Sequence, residues 1–155
     1  MYPTLLAFHS LFRWLVLASL VYALFRAYKG WFSAVSFSQL DNTIRHTTAT
    51  LSHIQLMIGI WLYFISPFTS HFFQNFKEAV QERELRFFGM EHSLVMLVAV
   101  ILISIGSAKA KCKTTDKEKF KTIAIWFTVG LLLILSSIPW AFSPLISRPN
   151  FRPFF

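Results

Sequence analysis

Two histidines in one apolar stretch, His46 and His53 of RHTTATLSHIQLMIGIWLYF (Arg45 to Phe64), are the first residues here able to do chemistry. They are seven residues apart, close to two turns of helix, so both imidazoles share one face about 10 Å apart along its axis. Thr50, Met57 and Trp61 continue that stripe. Ionisable or ligating side chains are costly in a spanning helix and usually face the bundle interior, where they mark an ion, proton or cofactor site. A second such group is His9 and Arg13, four apart and so on one helix face. A third is Glu91 and His92 in FFGMEHSL.

Depth separates these histidines. His9 lies 17 residues before Arg26, and His92 lies 17 residues before Lys109. At the helical rise each is about 25 Å from the basic edge, so the two match. His53 is 8 residues from Arg45, about 12 Å in, and His46 is near that edge. Imidazoles from facing helices at one depth are what a low-spin haem needs, because both axial ligands meet one iron. The first-choice ligands are therefore His9 and His92. Gly89 would leave a gap for the flat macrocycle, and Arg13 would neutralise a propionate or pair with Glu91. His53 is the next candidate ligand, through helix tilt or a second copy of the chain. Otherwise His46 and His53 read as a proton path or part of a quinone pocket. The structural alternative for each is a histidine that bonds a neighbouring helix, as membrane bundles do. Met57, Met90 and Met96 read as packing, and Trp14, Trp61, Trp126 and Trp140 as core or interface anchors.

The elements that position these groups are four apolar runs, Leu5–Phe25, Thr47–Phe64, Ser93–Ile105 with apolar flanks, and Ile123–Trp140. Each is near the ~20 residues that cross a hydrocarbon core. With 55% hydrophobic and 14% charged residues, the composition is that of an integral membrane protein rather than a soluble domain. The expected fold is all-α, one four-helix transmembrane bundle over residues 1–155. The first run lacks a basic leader and a cleavage site and contains Arg13, so it reads as a spanning helix and not a signal peptide. Asp41-Asn42-Thr43 reads as the start of the second helix. Phe72, Phe73, Phe76 and Val80 recur at helical spacing and predict a short interfacial helix between the second and third spans. His71 in that segment reads as an ordinary interfacial side chain.

The charge pattern sets orientation. The net charge is +8, and the connector KAKCKTTDKEKFK carries six lysines against Asp116 and Glu118. A short lysine-rich loop belongs in the cytoplasm, which places both termini on the outer, periplasmic side of a bacterial inner membrane. That loop has no interleaved aromatics, so it reads as a contact for anionic lipid and not for nucleic acid. Asp41, Glu78, Glu82 and Glu84 read as caps and solvated charges. The tail SPLISRPNFRPFF, broken by prolines, is expected to pack along the outer face. Cys112 is the only cysteine, which excludes an intramolecular disulfide and a CxxCH haem attachment. No internal repeat, glycine-rich phosphate loop or nucleophile motif is present.

The segments HSLFRW (from His9), HTTATLSHIQLMIGIWLYFISP (from His46), MEHSLVML (from Met90), AKAK (from Ala108) and IPW (from Ile138) resemble a family of short bacterial four-helix membrane proteins labelled cytochrome B. The resemblance runs nearly the whole length and implies a b-type haem protein of the inner membrane. It departs from di-haem membrane cytochromes, whose ligand pairs sit at two matched depths; here one pair matches. The reading is of a membrane-embedded protein that binds one haem b, or two, and passes single electrons between the quinone pool and a redox partner subunit. It is an electron-transfer subunit rather than a stand-alone enzyme, with a homodimer as a further expectation. The alternatives are a copper, zinc or proton-handling membrane protein and a cofactor-free assembly subunit of a membrane complex.

Overall fold

The computed structural model describes residues 1–33, 35–143 and 146–149. Among them it is all-helical, and four helical stretches are long and apolar enough to cross a membrane. Helix α1 spans Tyr2–Phe32 and α2 spans Gln39–Ile65. Three short helices follow, α3 (Pro67–Gln74), α4 (Phe76–Ala79) and α5 (Arg83–Arg86). A π-helical turn, Phe87–Glu91, leads straight into α6 (His92–Lys111), and α7 spans Asp116–Ser137.

The long helices form a square, with α1 packed on α2 and α7, and α6 packed on α2 and α7. Helices α1 and α6 are therefore diagonal partners. Small residues allow the close sides of the square. Gly30 meets the ring of Phe120, Gly106 meets Trp126, and Gly130 meets Ile103, all without room for a Cβ. Close approach at small residues is how spanning helices gain contact when apolar burial alone cannot drive them together. Leu20, Ala99, Ile103, Ala124 and Phe127 fill the middle.

Several boundaries differ from the sequence expectation. Helix α1 runs seven residues past Phe25, so the connector to α2 is short. Helix α2 begins before Asp41, because Ser38 is its N-cap. Asp41 N–H donates to Ser38 Oγ at 3.2 Å, and Ser38 N–H donates to Asp41 Oδ2 at 2.9 Å. This reciprocal capping box explains why an acidic residue sits at the third helical position. The other oxygen of Asp41 takes Arg26 Nη2–H at 2.8 Å, tying α1 to α2. Helix α7 starts at Asp116 and stops before Pro139, which cannot continue the ladder.

The segment between α2 and α6 is helical as expected but broken at Asn75. Phe73 and Phe76 are exposed, whereas Phe72 is buried at 1% exposure. His71 is exposed, near Asn75. The described part of the tail packs here: Arg148 pairs with Glu84 and lies over the rings of Phe68 and Phe88. The rest of the tail, residues 144–145 and 150–155, lies outside the described residues.

Candidate cofactor site

The diagonal helices meet through their histidines. The rings of His9 on α1 and His92 on α6 lie edge-on, with centroids 6.5 Å apart and an interplanar angle of 75°. The two rings thus come together at one level of the bundle. His92 is fixed by α7: its Nδ1 lies 2.8 Å from the carbonyl oxygen of Ser137. A carbonyl only accepts, so Nδ1 carries the proton. In a neutral ring the lone pair is then on Nε2. A metal-binding imidazole is commonly set this way, one nitrogen donating to a carbonyl while the other faces the metal. The local backbone matters too, since the π-helical turn ends at Glu91, directly before His92. Single π turns inside helices are frequent at functional sites.

His9 is held from the α2 side. Gln55 Nε2–H donates to the carbonyl oxygen of His9 at 2.9 Å. Gly59 brings the α2 backbone against the ring, and a Cβ there would sit 3.2 Å from His9 Cε1. Three buried polar atoms on α1 and α2, His9 Nδ1, Ser10 Oγ and Gln55 Oε1, have no hydrogen-bond partner among the described residues. Buried polar atoms are nearly always satisfied, so each calls for an explanation such as a bound group or water. Arg13 lies one turn along α1 from His9. Its guanidinium also lies 5.3 Å from the centre of the Trp14 ring.

The gap expected at Gly89 is filled. Phe72 packs its ring against that glycine, leaving no room even for a Cβ, and Tyr63 Oη–H donates to the Gly89 carbonyl at 2.7 Å. The aromatic side chains Phe87 and Phe88 also flank His92, at 5.6 and 6.4 Å between ring centres. Glu91 is engaged by Arg86 Nε–H at 2.7 Å.

His46 and His53 share one face, as their spacing requires, but that face is the outward one. His46, Thr50, His53, Met57 and Trp61 are all exposed on the bundle. The inward face of α2 instead carries Arg45, Thr48, Ala49, Ser52 and Leu62. Seven-residue spacing fixes that two side chains lie together, not which way they look. The small residues Ala49, Ser52 and Gly59 choose the packing face, because only they admit close neighbours. His53 Nε2 lies 2.8 Å from Ser104 Oγ on α6, so it bonds across helices rather than joining the His9–His92 pair.

Gln55, Gly59 and the Ser137 carbonyl belong to the site although none of them stood out as chemistry. The signal for Gln55 was present in sequence: an amide deep in an apolar run, two residues after His53. The Ser137 carbonyl had no signal, because a backbone acceptor depends on where α7 ends. No protein-family model, curated protein or solved structure matches this chain.

Proposed function

We propose that this protein is a membrane-embedded b-type haem protein that passes single electrons, and that His9 and His92 would hold the iron. The observation that carries this is the 6.5 Å separation of the two rings. A metal at ~2.0 Å from a nitrogen of each opposed imidazole puts the ring centres about 6 Å apart. Donor number points the same way. Among the described residues no three His, Cys, Asp or Glu side chains gather, whereas a bare zinc site wants three or four protein ligands. A haem would need only these two imidazoles from the protein, and held so it would supply one-electron exchange. The protein's part is to hold His92 through Ser137, to press His9 into place with Gly59, and to supply positive charge for a propionate from Arg13.

The lysine-rich connector is the cytoplasmic side of a bacterial inner membrane in this reading, with the His9–His92 pair towards the opposite face. Electrons pass between the quinone pool and a partner on that face.

A second reading has its own support. Phe72 fills the slot that a macrocycle would have used at Gly89, which favours a smaller occupant. A single copper or zinc ion would then draw on the two imidazoles together with Ser10 Oγ or Gln55 Oε1. Pyridine-haemochrome and elemental analysis of the purified protein separate the two. One iron and one protohaem per chain, lost in His9→Ala and His92→Ala, support the haem. Copper or zinc lost in the same variants replaces it with the ion. Metal content indifferent to both substitutions leaves a cofactor-free subunit.

A further inference from the structure

At the opposite end of the bundle from the histidine pair lies a second candidate site. A cavity of about 240 Å³ opens there, lined by Phe37, Ser38, Asn42, Arg45, Lys111 and Lys119 among others. Three of its lining residues are cationic and none is acidic. Arg45 is the unusual member. It is 6% exposed, and its bonds go to neutral oxygens: Nη1–H donates to the carbonyl and hydroxyl of Ser107, and Nε–H and Nη2–H donate to Asn42 Oδ1. Among the described residues no carboxylate lies within ion-pair distance of it. The nearby carboxylates are spoken for, Asp41 by Arg26 and Asp116 by Lys119 at 3.6 Å.

A buried guanidinium satisfied only by neutral acceptors remains costly, because hydrogen bonds do not cancel its charge. Lys111 adds a second positive charge to the same cavity, and Lys119 a third that Asp116 offsets in part at 3.6 Å, so the lining stays net positive unless an anion enters. We infer that this cavity binds a phosphate-bearing anion, with Arg45 as its anchor and Lys111 and Lys119 closing on it. Arginine's planar fork suits phosphate oxygens, and lysine adds point charge. The volume falls short of the ~300–1,000 Å³ of a drug-sized pocket, which suits a small anionic group rather than a large ligand. That group is the headgroup of an anionic phospholipid or free phosphate, and the two sources share this chemistry. The inference is independent of what the histidine pair holds.

The test uses the full-length protein in nanodiscs of neutral phosphatidylcholine. Phosphatidylglycerol is titrated in one arm and inorganic phosphate against chloride at matched ionic strength in the other, with bound lipid read by native mass spectrometry and binding by thermal shift. Expected is saturable binding of one anion, about fivefold weaker for each lysine removed in Lys111→Gln and Lys119→Gln. Lys113→Gln and Lys117→Gln, in the same loop but off the cavity, should leave the affinity unchanged. Response to phosphatidylglycerol alone assigns a lipid headgroup; an equal response to inorganic phosphate assigns the free ion. Arg45→Gln should abolish binding, and the lysine variants carry the test if that protein does not fold. The inference is overturned if neither anion binds saturably, or if the off-cavity lysines matter as much as the lining ones.

Discussion

At the scale of residues, the useful distinction is between a histidine that is merely buried among helices and one whose nitrogens are assigned. The Ser137 carbonyl makes Nε2 of His92 the free lone pair, while His9 presents a buried nitrogen with no partner among the described residues. His53 already has Ser104. Replacing His53 with Leu should therefore leave cofactor content unchanged and cost under about 1 kcal/mol, the average worth of such a bond in a bilayer; denaturation in detergent alongside haem content checks it. Gly59→Ala is the subtler probe. A Cβ 3.2 Å from His9 Cε1 obliges the imidazole to shift by a few tenths of an ångström. The expected result is normal folded yield with an altered absorption or electron-paramagnetic signature, because only the ligand has moved. The pairing of His9 with His92 was legible in sequence, since equal distances from basic anchors need only the helical rise. The direction of His46 and His53 was not, because spacing is blind to which face packs.

Among the elements, two junctions decide whether the helices arrive in register. The first is the start of α2, where Ser38 and Asp41 cap each other and Asp41 holds Arg26. Ser38→Ala should cost about 1 kcal/mol, the usual worth of such a cap. Asp41→Ala should cost more, since it also strips Arg26 of its partner; unfolding midpoints of the two variants give the comparison. The second junction is the π-helical turn before α6, seated on Phe72 at Gly89. Gly89→Ala has no room for its methyl and should cost about 1–3 kcal/mol as an overpacking change. Span existence was plain from apolar run length. The boundaries were not: Arg26 and Lys29 look like a helix end, yet α1 continues to Phe32 with Trp31 and Phe32 stacked at 5.0 Å. The inward packing of Phe72 against Gly89 was not legible either, because a phenylalanine stripe reads alike whether lipid or a glycine-bearing helix receives it.

For the whole molecule, the four-helix square places the histidine pair at one end and the basic loop at the other. The chain offers a direct orientation probe, because Cys112 is its sole cysteine and is exposed in that loop. A membrane-impermeant maleimide should label it in inverted inner-membrane vesicles and not in intact spheroplasts; the reverse pattern would turn the protein over. The four-helix architecture follows from hydropathy, whereas the groups that hold the histidine pair, Gln55, Gly59 and the Ser137 carbonyl, depend on helix packing that no local pattern encodes. The central claim is that His9 and His92 hold one metal between them as haem ligands. It is tested most directly by the dithionite-reduced minus oxidised spectrum of protein purified from haem-replete cells, compared with His92→Ala. A sharp α-band near ~560 nm is expected in the parent chain and absent from the variant. A parent spectrum without that band, or a band that survives in His92→Ala, would contradict it.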